Sequence, residues 1–376
     1  MQRSFIAELG APGRKVPVRA CDVESSPVWL FPSIGEYPVY DDVVYEVMIK
    51  DERRMSAYAE AVRRYAPGRT VLDIGTGQDA VWALAAARAG ARHVWAVEVI
   101  PKSARIARAN IERAGFADRI TVVEGLSTEI ELPEPVEMCV SEIIGTLGGS
   151  EGAGSVLRDA RKRLVKPGGV FIPYRSATTA VALDLDGVSP GRPLGFPTVV
   201  FRYVEEVFAS VGRPFDLRVV IEGLQDNPTV RERSYLSGPV EVEPLEFNGD
   251  LEPEGVDGAE LTFTRPGNFS GLALGMRLWV AEGDEPIDSL VQTSSWTPVY
   301  APLSVEGLPV RPGDRFEFDF TTTLSDDGVH PDYALTGELH RAGGPAVPLS
   351  WSSTHHGDGF RATPFYRSLF PGPDGP

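Results

Sequence analysis

The chain has 376 residues, a net charge of −17 and a hydrophobic content of 42%, enough for two domains or one large one with an ample core. The charge repels phosphates, which argues against a nucleic-acid partner, and it attracts a cationic ligand. No apolar run is long enough to span a bilayer, and the N-terminal "MQRSFIAELG" lacks the apolar core of a signal peptide, so no membrane partner is expected. Cys21 and Cys139 alone make no disulfide framework, and a reducing cytoplasm is the expected compartment.

Residues 1–30 are read as an N-terminal segment. Tyr37–Ala66 mixes charged and apolar residues at helical spacing and stops at Pro67 and Gly68. "TVLDIGTG" is a short buried strand running into a glycine turn, and "DAVWALAAARAGA" is an alanine-rich helix. "HVWAVEV" is a second strand, "KSARIARANIERAGF" a helix, "RITVVEG" a third strand and "VEMCVSEI" a fourth. "SVLRDARKRLVKPGG" is read as a further helix. This alternation predicts a parallel sheet covered on both faces over residues 31–172. From about Pro173 the texture changes. "ATTAVALDL", "AELTFTR", "LALGMRLWVAEG", "RFEFDFTTTL" and "YALTGELHR" are short alternating strands between Gly, Pro and Asp turns. They predict an antiparallel β domain over 173–376. Within it Val200–Gly212 has helical periodicity and reads as an inserted arm, about 200–226, with Phe201, Tyr203, Val204, Val207 and Phe208 left to cover.

The glycine turn has two readings. Gly75, Gly77 and Ala80 fit the dinucleotide pattern G-x-G-x-x-A, with Glu98 ending the next strand, as in a nicotinamide-dependent oxidoreductase. The alternative is the S-adenosylmethionine (AdoMet) turn of class I methyltransferases, with Asp73 two residues before the first glycine. Asp73 at the strand end, "VSEIIG" after the fourth strand and the β domain after "LVKPGGVFIP" favour AdoMet. A turn that only allows close packing is the third reading.

"SEIIGTLGGSE" (Ser141–Glu151) carries two glutamates nine residues apart with only apolar, small and glycine residues between them. Exposed loops seldom carry Ile-Ile-x-x-Leu without packing it. Taken with "YEVMIKDERR", "VLDIGTG" and "SSWTPVYAPL", this loop makes the chain resemble the protein arginine methyltransferase family from about Val39 to Asp319. Val44–Val47 and Ser295–Trp296 resemble the symmetric-dimethylating branch, whose large N-terminal barrel is not expected here.

The resemblance implies a Rossmann-like AdoMet domain, a β-barrel domain, a helical dimerisation arm and a homodimer. Glu142 and Glu151 would clamp a guanidinium, whose planar fork carboxylates match through charge-assisted bonds. The reaction is then an in-line methyl displacement driven by positioning and electrostatics, with no metal and no covalent nucleophile. Tyr45, Met48 and Trp296 would line the substrate pocket beside Ser295, which stands where most members have His. Arg54 would pair with the AdoMet carboxylate, Glu98 would hold the ribose, and Thr128 and Glu129 would contact the adenine. Asp73, Gly75 and Gly77 would form the cofactor turn, from which Asp79 departs by replacing a glycine.

His355 and His356 in "STHHGDG" read as solvated loop residues. The substrate is expected to be free L-arginine or a small guanidino metabolite, mainly monomethylated, with arginine in proteins or peptides as the alternative. A non-catalytic AdoMet-binding scaffold is the further alternative that Asp79 and Ser295 raise.

Overall fold

Thr70–Ile74 is buried along its whole length, as a strand between two helical layers must be. In the computed structural model it lies at the centre of a five-stranded parallel sheet. The order is Ile120–Glu124, His93–Glu98, Thr70–Ile74, Val136–Ser141 and Val165–Ile172. The structure describes residues 3–9, 14–21, 27–33, 48–188, 196–197, 217–357 and 363–364. Helices Val81–Arg88, Pro101–Arg113 and Ala153–Arg163 cross over between the strands and bury their alanine faces. The strand order reverses between Thr70–Ile74 and Val136–Ser141, which opens a crevice beyond their carboxyl ends.

Two predicted helices end differently from the expectation. The Tyr37–Ala66 helix is not continuous: residues 48–50 are helical, the chain breaks at Asp51, and Glu52–Tyr65 begins anew. Asp51 caps the second helix, its Oδ1 accepting the Arg54 N–H at 3.1 Å. The helix expected to run through "KPGG" stops at Arg163, and Val165–Ile172 is the sheet's last strand. Pro167 has no N–H for a helix, and Gly168 takes a φ of +77°. Val136 pairs with Val165 and Met138 with Val170, so the residues between bow out of the ladder.

The second half is antiparallel. A seven-stranded sheet runs Val240–Leu245, Arg175–Leu183, Gly271–Trp279, Val299–Pro302, Leu217–Ile221 and Val28–Pro32, with Ile287–Asp288 paired to Gly271–Trp279. A four-stranded sheet joins Gly255–Thr262, Arg315–Leu324, Pro331–His340 and Val347–Ser353. Its strand "RFEFDFTTTL" turns Phe316, Phe318 and Phe320 inward and its acids outward. Phe263, Phe269 and Phe316 meet there at centroid distances of 5.1 and 5.3 Å. Among the described residues these sheets are open paths rather than a closed ring.

The arm expected at Val200–Gly212 lies outside the described residues. The far end of its range is not helical: Leu217–Ile221 is a fully buried strand. Val28–Pro32 pairs with it, so the N-terminal segment contributes to the β half. Met276, Leu278 and Phe247 share one apolar core with Leu72 and Val140, which ties the β half to the parallel sheet. Among the described residues no helix is long and apolar enough to cross a membrane.

Candidate active site

The crevice holds a cavity of about 360 Å³, within the range of small-molecule sites. Its floor is the glycine turn. Gly75 and Gly77 adopt φ of +74° and +65°, conformations that side chains oppose. Gly75 and Thr76 donate their N–H groups to Val97 O, and Gly77 donates to Glu98 Oε2 at 2.9 Å. Glu98 Oε1 accepts the Ile100 N–H, also at 2.9 Å. Burial pushes the Glu98 carboxyl up against these backbone bonds.

Asp73 sits beneath the turn and outside the cavity lining. Its Oδ2 accepts from Thr76 Oγ1 at 2.6 Å and from the Ala83 N–H at 2.9 Å, which braces the turn against the next helix. Burial pushes its carboxyl up to about 7, against those two bonds and helped by the charge of Glu98. Asp79 and Thr128 line the cavity, whereas Glu129 is exposed and does not. Leu126 and Ser127 line it beside Thr128.

Met48, Arg54, Glu142 and Glu151 line the opposite side of the same cavity. Arg54 is 6% and Glu142 10% exposed at the side chain, and Arg54 Nη2 is ion-paired with Glu142 Oε2. Arg54 therefore holds one of the two glutamates in the structure. Its Nη1 donates to Ser295 Oγ at 3.1 Å, its Nη2 lies 3.7 Å from Met48 Sδ, and its guanidinium stacks 4.9 Å over Trp296. Asp51 Oδ2 accepts from Ser295 N at 2.7 Å and from Ser295 Oγ at 3.1 Å. Trp296 is buried, donates to Ile144 O at 2.6 Å and supports the loop from behind. Tyr45 lies outside the described residues.

The loop between the glutamates is held from the β half. Ile144 and Leu147 are buried, as the apolar run predicts. Gly148 N donates to Thr178 Oγ1 at 3.0 Å. Thr178 Oγ1 donates in turn to Glu243 Oε2 at 2.5 Å, and Tyr333 OH donates to Glu243 Oε1 at 2.9 Å. Burial pushes the Glu243 carboxyl up to about 7 against these bonds and one from the Gly149 backbone. Gly152, directly after Glu151, has a φ of +82°, and a Cβ there would meet Val329 Cγ1 at 2.7 Å. The segment Asp327–His330 thus closes the wall beside Glu151, and Asp327, Val329 and His330 line the cavity.

Trp82, Glu243, Asp327 and His330 escaped the sequence reading. Trp82 is the one bulky aromatic in an alanine-rich helix, and it stacks on Tyr58 at 5.0 Å while lining the cavity. That was a usable signal; the other three come from strands and turns with no local motif. His355 is a correction: it is buried, and its ring stacks on His330 at 4.0 Å and 4°. His356 Nδ1 lies 2.6 Å from Asp326 Oδ1.

A glycine turn open to backbone approach, with an acid at the end of the next strand and a cavity over both, fits a nucleoside with vicinal hydroxyls. The carboxylates on the far wall suit an attached cationic centre. Fold and site together define a class I AdoMet-dependent methyltransferase. A family model described as ribosomal protein L11 methyltransferase (PrmA) matches residues 56–173.

An arginine N(omega)-methyltransferase of Streptomyces achromogenes subsp. streptozoticus is 43% identical over 305 residues, 74% of this chain and 77% of the relative. Protein arginine N-methyltransferase PRMT10 of Arabidopsis thaliana is 40% identical over 131 residues, 34% of this chain and 33% of that protein. The solved structure of Arabidopsis thaliana protein arginine methyltransferase 10 superposes with a TM-score of 0.61 at 22% identity, over 82% of this chain and 96% of that one. The Trypanosoma brucei PRMT1 enzyme–prozyme complex with AdoHcy gives 0.63 at 19%, over 82% and 98%. The chain belongs to the AdoMet-dependent protein arginine methyltransferase family. Membership settles the glycine turn in favour of AdoMet over a nicotinamide cofactor.

Glu243 supplies a stability prediction. Its folded carboxyl binds a proton more tightly than the unfolded one. The resulting stabilisation is complete below the ordinary carboxylate range and is lost as pH rises through about 7. Urea unfolding at pH 5 and pH 8 should show a larger loss for the wild type than for Glu243→Gln. Equal losses in the two proteins would refute a titrating Glu243.

Proposed function

We propose that the chain transfers the AdoMet methyl group to a terminal guanidino nitrogen of free L-arginine or a small guanidino metabolite. The observation that carries this reading is the meeting of Glu142 and Glu151 in one cavity with the glycine turn and Glu98. Bound AdoMet supplies an electrophilic methyl on a sulfonium. The chain's own residues supply the rest. Glu142 and Glu151 accept the guanidinium N–H groups, fix its plane and draw positive charge toward the nitrogens they hold. Arg54 pairs with Glu142 at the cavity wall, Met48 lines the same wall, and Trp296 backs Arg54 from behind it. Glu98 is placed for ribose hydroxyls, and Thr128 for the base.

The small-molecule substrate is supported by the relative named for arginine Nω-methylation, which aligns over most of both chains. Arginine in a peptide or protein is the second reading, supported by the likeness to protein arginine methyltransferases. A free amino acid lacks the peptide contacts that hold a once-methylated product for a second transfer, so monomethylation dominates. The β strands close into a barrel in this reading. The protein works as a homodimer in the cytoplasm in this reading.

Glu142→Gln and Glu151→Gln should each lower turnover on the order of a hundredfold or more, with AdoMet affinity by calorimetry nearly unchanged. Near-normal turnover in both variants would end the clamp assignment. Labelled AdoMet offered with free arginine, arginine peptides and related guanidines should label the free compounds best, and mass spectrometry should find Nω-monomethyl product at long incubation. A dominant dimethyl species, or labelling of peptides alone, contradicts this substrate reading. Light scattering at micromolar concentration should show a dimer; a monomer rules out the homodimer.

A further inference from the structure

Methyl transfer from a sulfonium to a guanidinium joins two cations and leaves one proton in excess. The nitrogen lone pair forms the N–C bond, and the C–S bond breaks with its electron pair going to sulfur. One N–H proton must then leave for a product that keeps a single positive charge. Glu142 is committed to Arg54, and Asp51 to Ser295. A proton acceptor on the cavity wall would complete the balance.

The cavity wall contains one. His330 Nδ1 lies 2.6 Å from Asp327 Oδ2, and both residues line the cavity with Glu142 and Glu151. Asp327 Oδ1 accepts the N–H groups of Val329 and His330 at 2.9 Å each, so the turn locks the carboxylate against the ring. An ionised Asp327 accepts the Nδ1–H, and that tautomer presents Nε2 as the proton acceptor. Ring atom Cδ2, bonded to Nε2, lies 3.6 Å from the Cβ position of Gly152, the residue after Glu151. That edge of the imidazole therefore borders the residue that follows Glu151. His355 stacks on the other side and fixes the ring plane.

We propose that His330 is the catalytic base of the methyl transfer, taking the guanidinium proton on Nε2, and that Asp327 is its positioning residue. The proposal rests on the arginine methyltransferase reading above. Burial pushes the Asp327 carboxyl up, but the bonds from His330 and Val329 outweigh it and hold it well below the usual range. Four elements carry the charged and titratable groups around the His330–His355 stack. Asp327 is on the hairpin of His330, His355 and His356 follow strand Val347–Ser353, Arg218 is on Leu217–Ile221, and Glu151, which lines the cavity with His330, precedes helix Ala153–Arg163. Burial, the positive charge that His330 gains with the proton, and the charges of His356 and Arg218 hold His355 far below an ordinary histidine, so it does not compete for the proton.

A metal is the other use of such a cluster, since Asp327, His330 and His355 offer ligand atoms within 4.8 Å of one another. Two imidazoles stacked at 4.0 Å and 4° direct their lone pairs in parallel planes. One ion cannot lie in both planes at about 2 Å from each nitrogen.

The test is the pH profile of kcat for the full-length wild type, His330→Gln and Asp327→Asn, with AdoMet affinity and thermal midpoint as folding controls. His330→Gln should lose on the order of a hundredfold or more in kcat at little change in KM, and the acid limb of the profile should vanish. Asp327→Asn should keep the limb but move it to lower pH, because the imidazolium loses its carboxylate. Should His330→Gln fail to fold, the shift in the Asp327→Asn profile decides alone.

An unchanged kcat, a raised KM with kcat intact, or an acid limb that survives in His330→Gln overturns the assignment. Activity removed by a chelator and restored by zinc overturns it in favour of a metal. A wild type that methylates no guanidine overturns the functional reading and this proposal together. Wild-type turnover with indifferent variants overturns only the base.

Discussion

A buried guanidinium–carboxylate contact joins the parts of the site. Arg54, at the start of Glu52–Tyr65, pairs with Glu142 at the end of the fourth parallel strand. It also stacks on Trp296 and bonds Ser295 from the β half. Breaking a buried ion pair by removing one partner typically costs about 3–5 kcal/mol, because the other charge stays buried and unpaired. The arrangement of helix, glutamate loop and Ser295–Trp296 loop is therefore coupled. None of the three can move far without stranding a charge.

The same constraint explains the division of labour between the two halves. The parallel sheet builds the cofactor crevice from local sequence: a buried strand, a glycine turn and an acid at the next strand's end. The β half adds no comparable motif, yet it shapes the wall facing that crevice. Thr178, Glu243 and Tyr333 hold the glycine loop between the glutamates from beneath. The Asp327–His330 turn seals its far end against Gly152. At Gly149 and Gly152 another segment comes too close for a side chain.

The charges at the site follow from burial as much as from pairing. Asp73 and Glu243 are fully buried acids, and both are pushed up to about 7 because hydrogen bonds only partly offset desolvation. Both act as braces. Asp79, Glu98, Glu142, Glu151 and Asp327 line the cavity instead. Two of them have named basic partners, Arg54 and His330. Structural and chemical carboxyls thus separate by environment, although residue type alone makes them look alike.

The sequence by itself determined the alternation of strand and helix, the switch to antiparallel strands after Pro173, the cofactor turn and the paired glutamates. These are short-range signals. Apolar periodicity, glycine at positive φ and a carboxylate at a strand end are set within a few residues of one another. The break at Asp51 and the strand at Val165–Ile172 were less legible. Helical spacing continues across both, and only a cap and a ladder partner decide between helix and not-helix. Tertiary structure alone decided that Arg54 engages Glu142, that Glu129 stays outside the cavity and that His355 is buried. It alone brought His330 and Asp327 to Glu151. Those residues lie far apart along the chain, and their meeting depends on how two sheets stack, which no local pattern encodes.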